Sequence, residues 1–137
     1  MKQPYDCLVI GAGPAGAVAA RELAERGGRR VLVLCSEEID PLTLVRCYPI
    51  GYISMLDSGK NDEKIIAIPF ADPTYNTYQD LWELPGHIFD EMAHFFTVYK
   101  ALEGKEAMAG DVNDRAAAVE VIRKAMAHYE ETFVTGK

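Results

Sequence analysis

Two carboxylates and one ammonium lie close together in the middle of the chain, at Asp57, Asp62 and Lys64. The two runs that flank them, 50–56 and 64–68, are apolar and rich in β-branched residues. This pattern predicts a β-hairpin with a loop longer than two residues. Carboxylate oxygens held close together are ligands for Mg²⁺, and a lysine beside them supplies a point charge for phosphate. The simpler alternative is a polar turn that is only solvated.

The overall composition excludes several classes of function. The chain has 137 residues, of which 49% are hydrophobic, as is typical of one compact domain or two small lobes that share a core. A formal net charge of −7 and the absence of a basic run argue against binding to nucleic acid or to an anionic membrane. The three cysteines have neither C-x-x-C nor metal-ligand spacing, so we expect reduced thiols in a cytoplasmic protein.

A glycine-rich loop follows a short apolar run near the N-terminus and precedes a good helix-forming segment. Its glycines are Gly11, Gly13 and Gly16, in the pattern G-x-G-x-x-G. Such glycines permit a tight turn, close approach of the backbone to a pyrophosphate, and close packing of the helix whose N–H groups face the anion. The order strand, loop, helix therefore predicts a dinucleotide-type start. The alternative is a structural βαβ start that binds nothing tightly.

This start resembles the FAD-binding N-terminus of flavoprotein oxidoreductases of the geranylgeranyl-reductase and aromatic-hydroxylase kind. The resemblance lies in YDCLVIGAGPAG at 5–16, RELAERG at 21–27 and RVLVL at 30–34. It implies FAD as a cofactor, bound at the three glycines. In that family an acid at the end of the second strand holds the ribose hydroxyls, whereas this sequence has Cys35 there. A thiol is a poor substitute for a carboxylate acceptor.

From about residue 31 onward the sequence resembles the C-terminal part of the soluble family I inorganic pyrophosphatases. The resemblance lies in VLVLCSE at 31–37, PLTLVRCYPIG at 41–51, MLDSGKNDEKIIA at 55–67, HFF at 94–96, YK at 99–100 and LEGK at 102–105. It implies Mg²⁺-dependent hydrolysis of inorganic diphosphate to two phosphates, with Asp57 and Asp62 as metal ligands. It also implies that Lys64, Tyr99 and Lys100 are catalytic residues that contact phosphate.

The two resemblances together imply an α+β fold. Its main part is a partial pyrophosphatase-type, OB-like curled β-sheet with two C-terminal helices, preceded by a Rossmann-type β-α-β start. The corresponding domain division is a Rossmann-type start at 1–34 and a truncated pyrophosphatase-like domain at 31–137.

The residue pattern itself predicts the individual elements. Strand-like runs lie at 31–34, 42–46, 50–56 and 64–68. The apolar spacing over 85–102 predicts a helix that Gly104 closes. A last short strand at 106–111 precedes a final helix at 115–131, capped by Asn113 or Asp114.

Several acids that the resemblance would require are missing. The pyrophosphatase family places Asp-x-Asp-Pro-x-Asp directly before its Val-Leu-Val-Leu strand, and a Glu, a Lys and an Arg further upstream. This sequence has ERGGRR at 25–30 instead. We therefore hypothesise a recombined chain, joined at 31–34, where one strand could belong to either family. Metal-dependent hydrolysis needs several carboxylates to hold at least two ions, so we expect impaired activity.

Three functions remain open at this point. The leading one is an inorganic pyrophosphatase with impaired activity, whose partners are diphosphate and phosphate and which is a homo-oligomer if the family's tendency to assemble persists. The second is an FAD- or NAD(P)-binding module of an oxidoreductase. The third is a non-catalytic hybrid whose two parts only pack together.

Overall fold

The structure is a computed structural model that describes residues 9–10, 31–40, 43, 45–57, 59–102, 104 and 106–131. The glycine loop with Gly11, Gly13 and Gly16 lies outside these residues, as does the helix predicted to follow it. Strand β1 (Val9–Ile10) ends directly before that loop. Neither α-helix in the described part of the chain has the length and apolarity that a membrane-spanning helix requires.

Six strands, a 3-10 helix and two α-helices make up the described part of the chain. After β1 they are β2 (Val31–Val33), β3 (Cys47–Asp57), β4 (Lys60–Asn61), β5 (Lys64–Pro69), the 3-10 helix Leu81–Glu83, α1 (Gly86–Leu102), β6 (Ala107–Asn113) and α2 (Arg115–Tyr129).

The strands form one mixed sheet with β5 near its centre. Strands β1, β2 and β5 run parallel, in that order, with Val31 opposite Ile65. On its other edge β5 pairs antiparallel with β3, and β3 also pairs with β4 and β6. The N-terminal strand is therefore added to the sheet through β2 and does not belong to a separate sheet.

All six residues of β5 are buried, because the strand is paired on both edges and covered on both faces. Ile66 and Ile68 belong to the apolar cluster that includes Met92 and Phe96 of α1. Residues of the other parity, such as Ile65, belong to a second cluster that includes Ala118 of α2. Each helix thus covers one face of the sheet.

The hairpin between β3 and β4 has a two-residue loop, so the prediction of a longer loop was wrong. Asp57 pairs with Lys60, and Gly59 between them has a φ of 78°, which favours glycine. After β4 the returning chain leaves the ladder for two residues, where the Asp62 N–H donates to the Met55 carbonyl at 2.8 Å. Lys60 and Asn61, which were assigned to the loop, are therefore paired with β3. The interruption of the ladder lies at 62–63, directly before β5.

The prediction of a strand at 42–46 was also wrong for the residues of this run that the structure describes. Thr43, Val45 and Arg46 are not in a strand, and the Thr43 N–H donates to the Asp40 carbonyl at 3.3 Å in a turn. The apolar run has the composition of a strand, but both edges of β5 are already occupied by β2 and β3. The run joins the sheet at its end, where the Arg46 carbonyl accepts a hydrogen bond from the Phe70 N–H at 3.1 Å.

The C-terminal elements follow the predictions closely. Helix α1 begins one residue after the predicted start and is followed by Gly104 with a positive φ of 71°. Strand β6 begins one residue later and ends two residues later than predicted. Asp114 is the N-cap of α2, and its carboxylate accepts a hydrogen bond from the Ala117 N–H at 2.8 Å.

A buried carboxylate, Asp72, connects the segment after β2 to the turn after β5. Its Oδ2 accepts hydrogen bonds from the Ser36 N–H at 2.6 Å and the Ser36 hydroxyl at 3.0 Å. Its Oδ1 accepts from the N–H groups of Thr74 at 2.9 Å and Tyr75 at 2.7 Å. Burial alone would raise the pKa of Asp72, but these hydrogen bonds outweigh it and lower the pKa overall. The ionised carboxylate is the form that stabilises the fold.

Replacing Asp72 with Asn should lower the free energy of unfolding by about 2 kcal/mol at neutral pH, because an amide cannot accept all four charge-assisted hydrogen bonds. The pKa is lower in the folded than in the unfolded state. The contribution is therefore complete above about pH 4 and is lost as the pH falls through the folded pKa. Chemical denaturation at several pH values should show the gap between wild type and Asp72→Asn narrowing below about pH 4.

The exposed acid Asp40 provides a matched control in the same region. The Asp40→Asn variant removes a carboxylate that makes none of these four hydrogen bonds and should have nearly the free energy of unfolding of the wild type at neutral pH. A gap between wild type and Asp72→Asn that is the same at about pH 3 as at neutral pH would contradict the prediction.

Candidate functional site

Strand alternation brings Asp57, Asp62 and Lys64 to one face of the sheet. Lys64 is paired with Ile53 across the β3–β5 ladder, and Asp62 is hydrogen-bonded to Met55 through the backbone. Opposite residues of antiparallel strands share a face, and side chains alternate along each strand. Since Ile53 and Met55 belong to the cluster under α1, the three polar side chains lie on the face that α1 covers.

Lys64 is a buried cation, with 1% of its side chain exposed. Its ammonium group contacts Oδ2 of Asp62, and its Nζ lies 6.0 Å from the centroid of the Phe96 ring. A buried ammonium is costly unless a counter-ion and other favourable contacts replace its water. Asp62 is 26% exposed, so the carboxylate of this ion pair is accessible to solvent although the ammonium is not.

Asp57 and Asp62 have the chemistry of a magnesium site with few protein ligands. Mg²⁺ keeps several waters and is usually held by one or two carboxylates together with substrate phosphates. Among the residues that the structure describes, no group of three histidine, cysteine or acidic side chains is arranged to hold a metal ion. The role of Asp57 and Asp62 as metal ligands therefore stays a prediction from the resemblance.

Tyr99 and Lys100 are residues of α1, three and four positions after Phe96. Their side chains lie outside the described part of the structure, so their contacts with phosphate stay a prediction. The helix itself is fixed to the sheet by Met92 and Phe96, which are buried in the cluster beneath it. The backbone of α1 is thus held over the sheet face that carries the two aspartates and Lys64.

The residue pattern alone did not reveal the burial of Lys64 or its contact with Phe96. Phe96 belongs to the apolar stripe of α1 and was assigned to the core, which the structure confirms. A cation–π contact between residues far apart in sequence leaves no local signature. One usable signal was that Lys64 has the same parity as the apolar Ile66 and Ile68, which places it on a buried face once the strand is assigned.

The two members of the ion pair should differ in their effect on stability. Asp62→Asn replaces the carboxylate that contacts the buried ammonium by a neutral amide, so we expect the free energy of unfolding to fall by about 2 kcal/mol. Lys64→Met removes the buried charge and retains a side chain of similar length, while Asp62 remains accessible to water. Its cost should be less than about 1 kcal/mol.

Chemical denaturation of the two single variants and the double variant measures this difference. The double variant should resemble Lys64→Met, because the buried ammonium is absent from both proteins. Equal losses in the two single variants would contradict the asymmetry between a buried ammonium and a solvent-accessible carboxylate.

Comparison with known proteins gives two family matches. Residues 30–130 match the family described as "Inorganic pyrophosphatase", and residues 9–36 match "NAD(P)-binding Rossmann-like domain". The inorganic pyrophosphatase of Halalkalibacterium halodurans is 39% identical over 100 residues, which are 73% of this chain and 61% of that protein. That of Haloferax volcanii is 39% identical over 104 residues, 75% of this chain and 59% of that protein. The chain thus spans about three fifths of the length of these relatives.

A solved structure shows the same fold. The inorganic pyrophosphatase of Helicobacter pylori superposes with a TM-score of 0.71 and 31% sequence identity, over 75% of this chain and 62% of that one. This similarity confirms the predicted pyrophosphatase-type α+β fold. From the match over residues 30–130 and the shared fold, we conclude that the chain belongs to the inorganic pyrophosphatase family.

Proposed function

We propose that the chain binds inorganic diphosphate together with Mg²⁺ and hydrolyses it to two phosphates much more slowly than its longer relatives. The observation that carries this proposal is the common face of Asp57, Asp62 and Lys64 beneath α1. These are the residues that the family resemblance implies for metal and phosphate. Relatives named inorganic pyrophosphatases support the choice of substrate.

In this proposal each described residue has a separate role. Asp57 and Asp62 hold Mg²⁺, which when bound neutralises phosphate charge and polarises the bond to be broken. Lys64, which the resemblance implies as a phosphate contact, is the buried counter-ion of Asp62 and orients that carboxylate. Tyr99 and Lys100, on the helix over the site, contact the phosphate on the opposite side.

The missing acids should lower the rate of hydrolysis more than the affinity for diphosphate. Metal-dependent hydrolysis uses one ion to generate hydroxide and others to stabilise the leaving phosphate, and these ions need several carboxylates. The segment 25–30 provides Glu25 and three arginines where the family has three aspartates. Without these acids we expect the rate of hydrolysis to fall steeply, whereas Asp57 and Asp62 would still hold one Mg²⁺, which would neutralise charge on bound diphosphate.

The proposal includes a division of the chain at β2. Residues 1–34 form a Rossmann-type start and residues 31–137 a truncated pyrophosphatase-like domain, joined by recombination at the shared strand. The two family matches, at 9–36 and 30–130, overlap at that strand and support this division.

Binding of diphosphate should depend on Mg²⁺ and on Asp57. Isothermal titration with diphosphate should give binding in the presence of Mg²⁺ and none with EDTA. Asp57→Asn should weaken binding about ten-fold, because it removes one of the two carboxylates that hold the ion. The rate of phosphate release in Mg²⁺ should also be lower in this variant than in the wild type.

The exposed acid Asp111 on β6 provides the control. Asp111→Asn removes the same charge from another part of the molecule and should bind diphosphate as the wild type does. Absence of Mg²⁺-dependent binding in the wild type, or equal affinities of Asp57→Asn and Asp111→Asn, would refute the proposal.

A second candidate function is binding of a dinucleotide such as FAD or NAD(P) by the N-terminal start. The observation that favours it is the parallel pairing of β1 with β2, as in the first two strands of a doubly wound half-sheet. The match of residues 9–36 to an NAD(P)-binding Rossmann-like domain agrees with this pairing. Cys35 in place of the ribose-binding acid argues for low affinity.

Titration with FAD and with NADPH, followed by fluorescence, tests this second function. If it is correct, Gly13→Asp should abolish binding, because a carboxylate beside the pyrophosphate repels it and blocks the approach of the backbone. Gly27→Ala, outside the motif, should have little effect. No binding of either dinucleotide at about 1 mM would exclude this function.

A further inference from the structure

We propose that Phe96 is a positioning residue of the diphosphate site. Its ring holds the Lys64 ammonium against Asp62 and thereby fixes the β5 side of the site relative to α1. This inference rests on the proposed function, because it concerns the same site. It assigns to an apolar residue of the helix a role that neither the family resemblance nor the residue pattern provides.

The ammonium group of Lys64 lies in a buried environment. Lys64 Nζ contacts Asp62 Oδ2 and lies 6.0 Å from the Phe96 centroid, and the side chain is 1% exposed. Phe96 is itself buried, at 8% exposure. The face of an aromatic ring attracts a cation, and the attraction is stronger where water is excluded. The ring therefore replaces part of the lost hydration and favours the position of Nζ beside the carboxylate.

Phe96 lies on α1 close to Tyr99 and Lys100. Phe96 precedes Tyr99 and Lys100 by three and four residues on α1, which is about one helical turn, or 4.5 to 6 Å along the axis. The contact between Phe96 and Lys64 therefore joins the strand that follows the aspartates to the helical turn that carries the other two predicted phosphate contacts. A shift of the ring would change the separation between these two sides.

Asp62 is both the ion-pair partner of Lys64 and accessible to solvent. Its Oδ2 is used in the ion pair, whereas the side chain remains 26% exposed and reachable by a hydrated ion. Holding Lys64 in place thus fixes the orientation in which this carboxylate is presented. If the ring were absent, the ammonium could move away from Asp62, and a metal ligand would lose its fixed geometry.

Phe95 offers a matched control on the same helix. It is an aromatic residue packed edge-to-face against Phe96, with ring centroids 5.4 Å apart and an interplanar angle of 67°. It is 50% exposed, whereas the Lys64 ammonium lies over the ring of Phe96. Substitution of Phe95 removes an aromatic ring from α1 without removing the one that faces the ammonium.

The first experiment measures the geometry directly. In NMR spectra the ε-methylene protons of Lys64 should be shifted upfield by the ring current of Phe96. The shift should be lost in Phe96→Leu and in Phe96→Met, and retained in Phe96→Tyr and Phe95→Leu. Met fills much of the volume of Phe without a ring, so it serves if the Leu variant does not fold. Retention of the upfield shift in a folded Phe96→Leu or Phe96→Met variant would overturn the inference.

The second experiment measures diphosphate binding in Mg²⁺ by the same titration used for Asp57. Phe96→Leu or Phe96→Met should weaken binding about five-fold, the equivalent of one cation–π contact, whereas Phe96→Tyr and Phe95→Leu should stay within about two-fold of the wild type. Loss of the upfield shift with unchanged affinity would overturn the positioning role. Absence of binding in the wild type would instead refute the proposed function, and the NMR shifts would still decide whether Phe96 positions Lys64.

Discussion

The double pairing of β5 is the constraint on which the rest of the structure depends. This strand, Lys64–Pro69, is buried at every position, with β2 parallel on one edge and β3 antiparallel on the other. Hydrogen bonding on both edges lets an apolar segment lie in the interior without unpaired backbone groups. The two helices can then cover its opposite faces.

The same constraint accounts for the buried ammonium. Because β5 begins at Lys64 and side chains alternate, Lys64 shares the face of Ile66 and Ile68. The Lys64 ammonium therefore lies in the apolar cluster under α1, where it is almost completely shielded from water. The Asp62 carboxylate and the Phe96 ring provide the compensation, so the position of one strand determines the electrostatics of the candidate site.

Much of the fold could be predicted where the physical cause is local. The apolar spacing of α1, the capping carboxylate of Asp114 and the β-branched run of β5 are each determined by neighbours in sequence. The predictions that were wrong concern features that depend on residues outside the segment itself. The run 42–46 has strand composition, but its described residues form no strand, and the length of the hairpin loop depended on pairing of the polar β4. The residue types of the site were predictable, whereas the burial of Lys64 depends on how α1 packs.

Strand β2 shows why the fold and the chemistry have different requirements. Val31 and Val33 contribute to one apolar cluster and Leu32 packs against the other, while both edges of the strand are paired. Any short apolar strand with parallel partners could satisfy these demands, because they involve only backbone hydrogen bonds and side-chain volume. Catalysis makes a stricter demand on the residues just before this strand, since each metal ion needs carboxylates of defined number and geometry. The sequence has Arg29 and Arg30 there, so the pairing of this strand does not depend on the acids that the family resemblance would require before it.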